Sequence, residues 1–447
     1  VGAPGFRAFT ATEQQLVRDI LAKTSAMVGI DFTEVSENSG KIGEIRLGVS
    51  QQTATKGVSW LPDQAGSGDL AGDVWMDLES MVGIAPGTEG YAVLLHEIGH
   101  ALGLRHPRNV DAGDVWATQL RAVDDRTALT AMASLPSSDG LFRADWGPLD
   151  ILALRYLYGS RDVGMGDNTY ILGNVQAASQ TTIMDGGGTD TIDASAFSSG
   201  VNLNLIPGGL SSVGLTAAGF AGVENLSTGA GTAIENAIGS RFDDVLIGND
   251  LDNRLTGNLG NDWMEGGKGV DTAVFAGKLA DYILSYNFGK NFVEARDGVS
   301  GFDTLASVER LKFSDFAVAL DISGNAGTTA KILGAVFGKA AVANKEYAGI
   351  SLQMLDGGMS YLDLMNLALN AALGAGASNA AVVNLLYTNV VGTPPPAADL
   401  ALFTGWLDSG AYTRASLGVL AADTALNTAN VNLVGLATSG LEYLPLG

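Results

Sequence analysis

Hydrophobic positions in the first 160 residues fall into runs of two kinds. Leu16, Val17, Ile20 and Leu21 share one helical face behind Thr10-Ala-Thr-Glu13, a capping-box sequence in which hydroxyl and carboxylate can satisfy each other's backbone N–H groups. IDFTEVS (30–36) and EIRLGVS (44–50) predict strands, the second alternating Ile45, Leu47 and Val49 with polar or small neighbours. TEGYAVLLHEIGHALG (88–103) predicts a helix that stops at Gly103. WGPLDILALRYLYG (146–159) predicts another, with Pro148 in its first turn and Gly159 after its end. These elements mark residues 1–160 as a mixed α/β domain.

Residues 161–320 follow a different rule. From Gly239 the chain divides into nines: GSRFDDVLI, GNDLDNRLT, GNLGNDWME, GGKGVDTAV. The first position is always Gly; the sixth is Asp244, Asn253, Asp262 and Asp271; the eighth is Leu246, Leu255, Met264 and Ala273. Three columns holding at once make this a structural repeat rather than a Gly-rich linker. Residues 321–447 change again, to Ala- and Leu-rich helical patterns with a faint internal repeat, FGKAA…LDGG beside VGTPP…LDSG. The stripe Leu362, Met365, Leu369 reads as core. The expectation is a multidomain chain: an α/β domain over 1–160, a repeat domain over 161–320 and an all-α domain over 321–447.

Composition narrows the partners. Lys plus Arg number 25 against 48 for Asp plus Glu, a formal net charge of -23. Such a chain is repelled by nucleic acid and anionic membranes, while its carboxylates suit hard cations. There is no cysteine, hence no disulfide, thiolate metal site or cysteine nucleophile. No apolar run is long enough to predict a transmembrane segment, and VGAPGFRAFT lacks the pattern of a signal peptide.

The sharpest chemical signal is HEIGHALGLRHP (96–107), which holds all three histidines of the chain: His96, His100 and His106. His96 and His100 are one helical turn apart, so both rings leave the same face and can reach one Zn²⁺ at about 2.0–2.1 Å. Gly103 can take the positive φ that stops the helix and lets His106 return to the same ion. Three neutral ligands leave a fourth position for water, the pattern of a catalytic site. Glu97 can take that water's proton as general base and pass it to the leaving amine.

The full HExxHxxGxxH pattern resembles that of the metzincins, and within them the serralysins, secreted bacterial zinc endopeptidases. GFRAFTATEQQLVRDIL, IDFTEVS, GDVWMD (72–77) and PLDILALRYLYG are also similar to serralysin segments, in the same order. The resemblance implies a metzincin catalytic domain binding one zinc, with Met132 of TALTAMASLP in the methionine turn under the site. It implies a protein or peptide substrate laid antiparallel to an edge strand, placed near residues 72–77. Two departures stand out. Where the family has a tyrosine two residues after the turn methionine, this chain has Ser134. The strand that precedes the first helix in the family is missing before Thr10, which leads to the expectation of an upstream fragment or propeptide, removed by proteolysis and retained.

The nines resemble the haemolysin-type repeat GGxGxDxUx, which forms a calcium-binding parallel β-roll, with the sixth-position residues Asp244, Asn253, Asp262 and Asp271 at the ions. GMGDNTY and IMDGGGTDTID resemble the serralysin calcium site between domains. By that match Asp185 and Asp190 supply carboxylates, and Gly164, Gly166, Asn168 and Gly187 complete the site. Several structural Ca²⁺ ions and secretion through a bacterial type I channel follow from the resemblance. The helical part resembles a domain of unassigned function; cell-surface or surface-layer association, substrate targeting and help in secretion are the roles left open for it. The competing reading is a weak or highly selective surface-associated binding protein that retains the protease fold; Ser134 motivates it, and Glu97 speaks against it.

Overall fold

The first helix begins as its cap predicts. The Thr10 hydroxyl accepts from Glu13 N, the Glu13 carboxylate accepts from Thr10 N, and Arg7 donates to both Glu13 oxygens at 2.7 and 2.8 Å. The computed structural model describes residues 5–36, 42–63, 67–108, 119–133, 137, 140–216, 219–287, 289–298 and 300–446. They fall into two compact units, Val1–Asn249 and Asp250–Gly447, so the division lies inside the Gly- and Asp-rich region.

In the first unit, helix α1 (Ala11–Met27) buries Val17, Ile20, Thr24 and Met27. These join one core with Val49 of β1 (Leu47–Ser50), Val74 and Met76 of β3 (Val74–Asp77), Leu94, Leu95 and Ile98 of α2 (Glu89–Ala101), and Ile151 and Leu154 of α3 (Pro148–Tyr158). The fully buried Trp146 satisfies its indole N–H on Thr24 Oγ1 at 2.8 Å. The sheet order is β1-β3-β2, with β2 spanning Gly57–Ser59; β1 runs parallel to β3, and β2 antiparallel.

Two strand expectations are corrected here. Residues 30–36 form no strand. Ile30 and Phe32 rest on the core, but at the outer edge of β1 Val49 exchanges both backbone hydrogen bonds with Arg7. Residues 72–77 offer no edge, because β3 is the central strand and both its sides are hydrogen-bonded. The edge belongs to β2.

The repeats form very short parallel strands. In the first unit Thr191–Asp193 pairs with Thr169–Ile171 and Asn236–Ile238, and Asn202–Asn204 with Val245–Ile247. In the second, Leu255 pairs with Ala273, a register of 18 residues. The intervening Trp263–Glu265 pairs instead with Phe302–Ala306. A nine-residue sequence period thus becomes an 18-residue spatial period, consecutive nines alternating between two ladders. All four eighth-position side chains, Leu246, Leu255, Met264 and Ala273, have no exposed surface.

From Asn325 the second unit is helical, with Asn344, Ser360, Ser378, Thr413 and Thr424 capping successive helices. Met365 and Leu369 lie in its core beside Leu364 and Ala368, but Leu362 does not: the buried face starts two residues later and leaves it half exposed. Nor is the region all-α. Its last strand, Leu441–Tyr443, pairs antiparallel with Ala317–Ala319. The faint repeat has a structural echo. Asn325 Nδ2 donates to Asp356 at 2.8 Å, and Asn379 Nδ2 donates to Asp408 at 2.7 Å.

Arg310 fastens this region to the strands. Its side chain is 3% exposed and donates to Asp321 and to both oxygens of Asp356. Arg310→Met removes a buried charge between two carboxylates and is expected to cost about 3 kcal/mol. Denaturant unfolding, with loss of amide protection across residues 345–356, checks this.

Candidate metal centre and calcium sites

Helix α2 carries His96 and His100 on one face and ends at Leu102. Gly103 follows at φ +90°, and Leu104 N bonds back to Gly99 O at 2.9 Å, turning the chain so that His106 returns. His106 Nε2 lies 3.0 Å from His96 Nε2 and 3.2 Å from His100 Nε2. The other ring nitrogens are tied to main-chain carbonyls, His96 Nδ1 to Ala131 O and His100 Nδ1 to Leu104 O, both at 2.8 Å. Donation from Nδ1 sets the tautomer and turns each Nε2 lone pair toward the others.

Three unshared lone pairs this close repel unless a cation sits among them. Tetrahedral coordination at about 2.0–2.1 Å separates ligand atoms by about 3.3 Å, which the observed spacings approach. The residues present therefore fit a zinc-sized ion. Burial lowers the pKa of His96, and burial with the neighbouring imidazoles pushes His100 down to about 4, so both rings are neutral and ligand-ready at pH 7. Among the described residues these three are the only such group of potential metal-ligand side chains.

Glu97 is 7% exposed, and its Oε2 accepts from Ser59 Oγ at 2.6 Å. Burial raises its pKa; the Ser59 bond and His106 oppose the rise. Met132 is buried, its sulfur facing Gly99, where a β-carbon would come within 2.6 Å. Its turn is held by Asp150, which accepts from Ala131 N at 2.6 Å, from Gly147 N at 2.8 Å and from the Thr130 hydroxyl. Ser134 lies outside the described residues. Beside His106 opens a cavity of about 600 Å³ lined by Leu104, Met132, Leu149, Leu152 and the exposed Tyr156.

The residues expected at the upstream calcium site also come together. Asn168 N donates to Asp190 Oδ1 at 2.7 Å, Gly187 N to Asp185 Oδ1 at 2.8 Å and Gly166 N to Gly187 O at 2.7 Å. The carbonyls of Gly164 and Gly166 converge on the Asn168 side chain. Asp190 is fully buried, and its Oδ2 has no hydrogen-bond partner among the described residues, an orphan that a cation would satisfy. Burial raises its pKa, with Asp185 and Glu235 adding to the rise. In the repeats, Asp244 accepts from Val201 N and Ser240 N, Asp271 from Asn253 N, and Asp262 N donates to Asp303. The sixth-position residues thus meet partners from other coils, Asp244 also one from its own nine.

Sequence reasoning missed several residues. Ser59 carries no motif. Asp150 had a signal, since it stands three positions into a helix behind Gly-Pro, but its partner turn is distant in sequence. Glu235, Asp303 and Glu309 accept from Asp190 N, Asp262 N and Asp271 N without belonging to any nine.

The chain is similar to known proteins over part of its length. Residues 162–330 match the family described as Peptidase M10 serralysin C terminal. Serralysin C of Dickeya chrysanthemi is 32% identical over 273 residues, 55% of each chain. Metallopeptidase AprA of Pseudomonas marginalis is 30% identical over 280 residues, 56% of this chain and 57% of that protein. Serralysin of Photorhabdus luminescens is 34% identical over 190 residues, 37% of each chain. The chain spans about half the length of these first two relatives.

Asp271 generates a pH prediction. Burial, with Glu309 and Asp252 nearby, pushes its carboxyl up to about 7, against about 3.9 when unfolded. Between these values the folded state holds a proton that the unfolded state lacks. That stabilisation is complete below the unfolded value and lost as pH rises through about 7. In chelator, the 254–274 strands should be more protected at about pH 5.5 than at about pH 8, with calcium removing the difference. Hydrogen exchange checks this; equal protection at both pH values counts against it.

Proposed function

We propose that this chain is a serralysin-type, zinc-dependent endopeptidase, secreted by a type I route and stabilised by calcium. The observation that carries the reading is the convergence of three imidazoles, two of them oriented by main-chain carbonyls, with a buried glutamate beside them. Zinc, when bound, acts as a Lewis acid that polarises the scissile carbonyl and acidifies water. The protein's own groups do the rest. His96, His100 and His106 hold the ion, and Ala131 O and Leu104 O hold two of the rings. Glu97 accepts a proton from the attacking water and returns it to the leaving amine. Its raised pKa suits both halves of that transfer.

Substrate adds antiparallel to the open edge of β2 by main-chain pairing. The cavity beside His106 takes an apolar side chain of the substrate, since Leu104, Leu120, Met132, Leu149, Leu152 and Ala153 make up half of its lining. The domains are 1–160 for catalysis, 161–320 as a calcium-binding β-roll and 321–447 as an appended helical region. Asp185, Asp190, Asp244, Asn253, Asp262 and Asp271 serve the calcium ions. The roll folds once it meets extracellular calcium, which lets the chain pass the secretion channel unfolded. No helix among the described residues is long and apolar enough to cross a membrane.

Unfolded casein should be cleaved with zinc and calcium present. Glu97→Gln should lower turnover by at least about a hundredfold, the scale of general-base catalysis, while zinc content is kept. A zinc-binding chain that cleaves nothing would sink the protease reading and favour a binding role. Leu152→Trp should narrow the cavity and shift cleavage toward small residues on its side of the bond, read by mass spectrometry of the peptides.

A further inference from the structure

Strand β2 lies against the catalytic helix as well as beside β3. Residues two apart on a strand face the same way, and Gly57 and Ser59 both face Glu97. At Gly57 a β-carbon would stand 2.8 Å from Glu97 Cγ, 3.0 Å from its Oε1 and 3.0 Å from Val93 Cγ1. Glycine there leaves the room in which the glutamate side chain lies. Two residues on, the Ser59 hydroxyl donates to Oε2 at 2.6 Å. Oε1 has no hydrogen-bond partner among the described residues.

We propose that Ser59 is a positioning residue for the general base: it pins one carboxylate oxygen of Glu97 and aims the other at the reacting water. This rests on the peptidase reading of the site. A glutamate has three rotatable side-chain bonds, and its neighbours on α2 constrain only the first part of the chain. Without a fixed partner the carboxylate samples several rotamers, few of which present an oxygen to the metal-facing side. One charge-assisted hydrogen bond selects among them. Ser59 is on the sheet's edge strand, in line with the proposed substrate path, so a peptide pairing with β2 would also steady the residue that holds the base. The base and the substrate are then aligned by one three-residue strand.

The test compares wild type, Ser59→Ala, Ser59→Thr and Gly57→Ala on a peptide substrate, with zinc content measured for each. Ser59→Ala is expected to lower kcat about tenfold, the scale of one hydrogen bond to a charged group, with KM and zinc content kept. Ser59→Thr restores the hydroxyl and should recover most of kcat. Gly57→Ala displaces Glu97 and should lower kcat in the same way. A Ser59→Ala enzyme with wild-type kcat overturns the proposal. So does a loss that Ser59→Thr fails to recover.

Affinity for a peptide hydroxamate, a zinc chelator whose acidic N–OH lies beside the base, keeps this separate from the peptidase reading. If no variant turns over substrate, the peptidase reading fails by itself. A Ser59→Ala effect on hydroxamate affinity that vanishes in a Glu97→Gln background would still support coupling of the two residues. The same effect in both backgrounds would overturn it.

Discussion

Three half-buried imidazoles converge with their Nε2 atoms 3.0 and 3.2 Å apart, and the first unit is built around that convergence. Each neutral ring needs its second nitrogen satisfied. For His96 and His100 the partner is a main-chain carbonyl rather than a side chain, so ring orientation depends on backbone positions. One carbonyl, Leu104 O, is set by the turn that Gly103 permits. The other, Ala131 O, is set by a loop some thirty residues away in sequence. Burial that lowers the pKa of His96 and His100 also raises that of Glu97 between them in sequence, so one environment shapes both the candidate ligands and the proposed base.

The loop carrying Ala131 and Met132 is itself anchored by buried charge. Asp150 accepts there from Ala131 N and the Thr130 hydroxyl, and from Gly147 N at the start of its own helix. Close by in sequence, the buried Arg143 donates five hydrogen bonds, to the carbonyls of Thr127, Ala128, Asp145 and Trp146 and to the Thr182 hydroxyl. Its guanidinium is desolvated enough to be pushed down to about 10. A fully hydrogen-bonded buried charge fixes its surroundings, because any displacement leaves donors unsatisfied. Metal-site geometry is thereby supported by groups that touch no metal.

The repeats solve a different problem. A stack of three-residue strands buries little per coil, and its turns crowd carboxylates together. Buried side chains such as Leu255 and Met264 fill the interior, while Asp190 and Asp271 raise a cost that only protons or cations relieve. Where the last strands meet the helical region, Arg310 provides a fixed cation instead, and the final strand of the chain returns to pair beside it.

Much of this was legible in the sequence because its chemistry is local. Capping residues mark helix ends within four positions; the HExxH spacing is one helical turn; Gly103 declares its own conformation; a nine-residue period states which side chains turn inward. What failed to read were relations between distant segments. IDFTEVS is composed like a strand, yet the outer edge of β1 is taken by Arg7. GDVWMD looked like a free edge and proved central, because neighbours on both sides come from other parts of the chain. Ser59 and Glu235 bear no pattern, and Asp150 shows only its local cap, since each acquires its role from a partner at least 19 residues away. The candidate ligands and the elements that carry them could be read from local spacing; which carbonyls orient the rings, which strand is an edge and which hydroxyl reaches the glutamate came only from the folded chain, because those are distances between segments that no local spacing encodes.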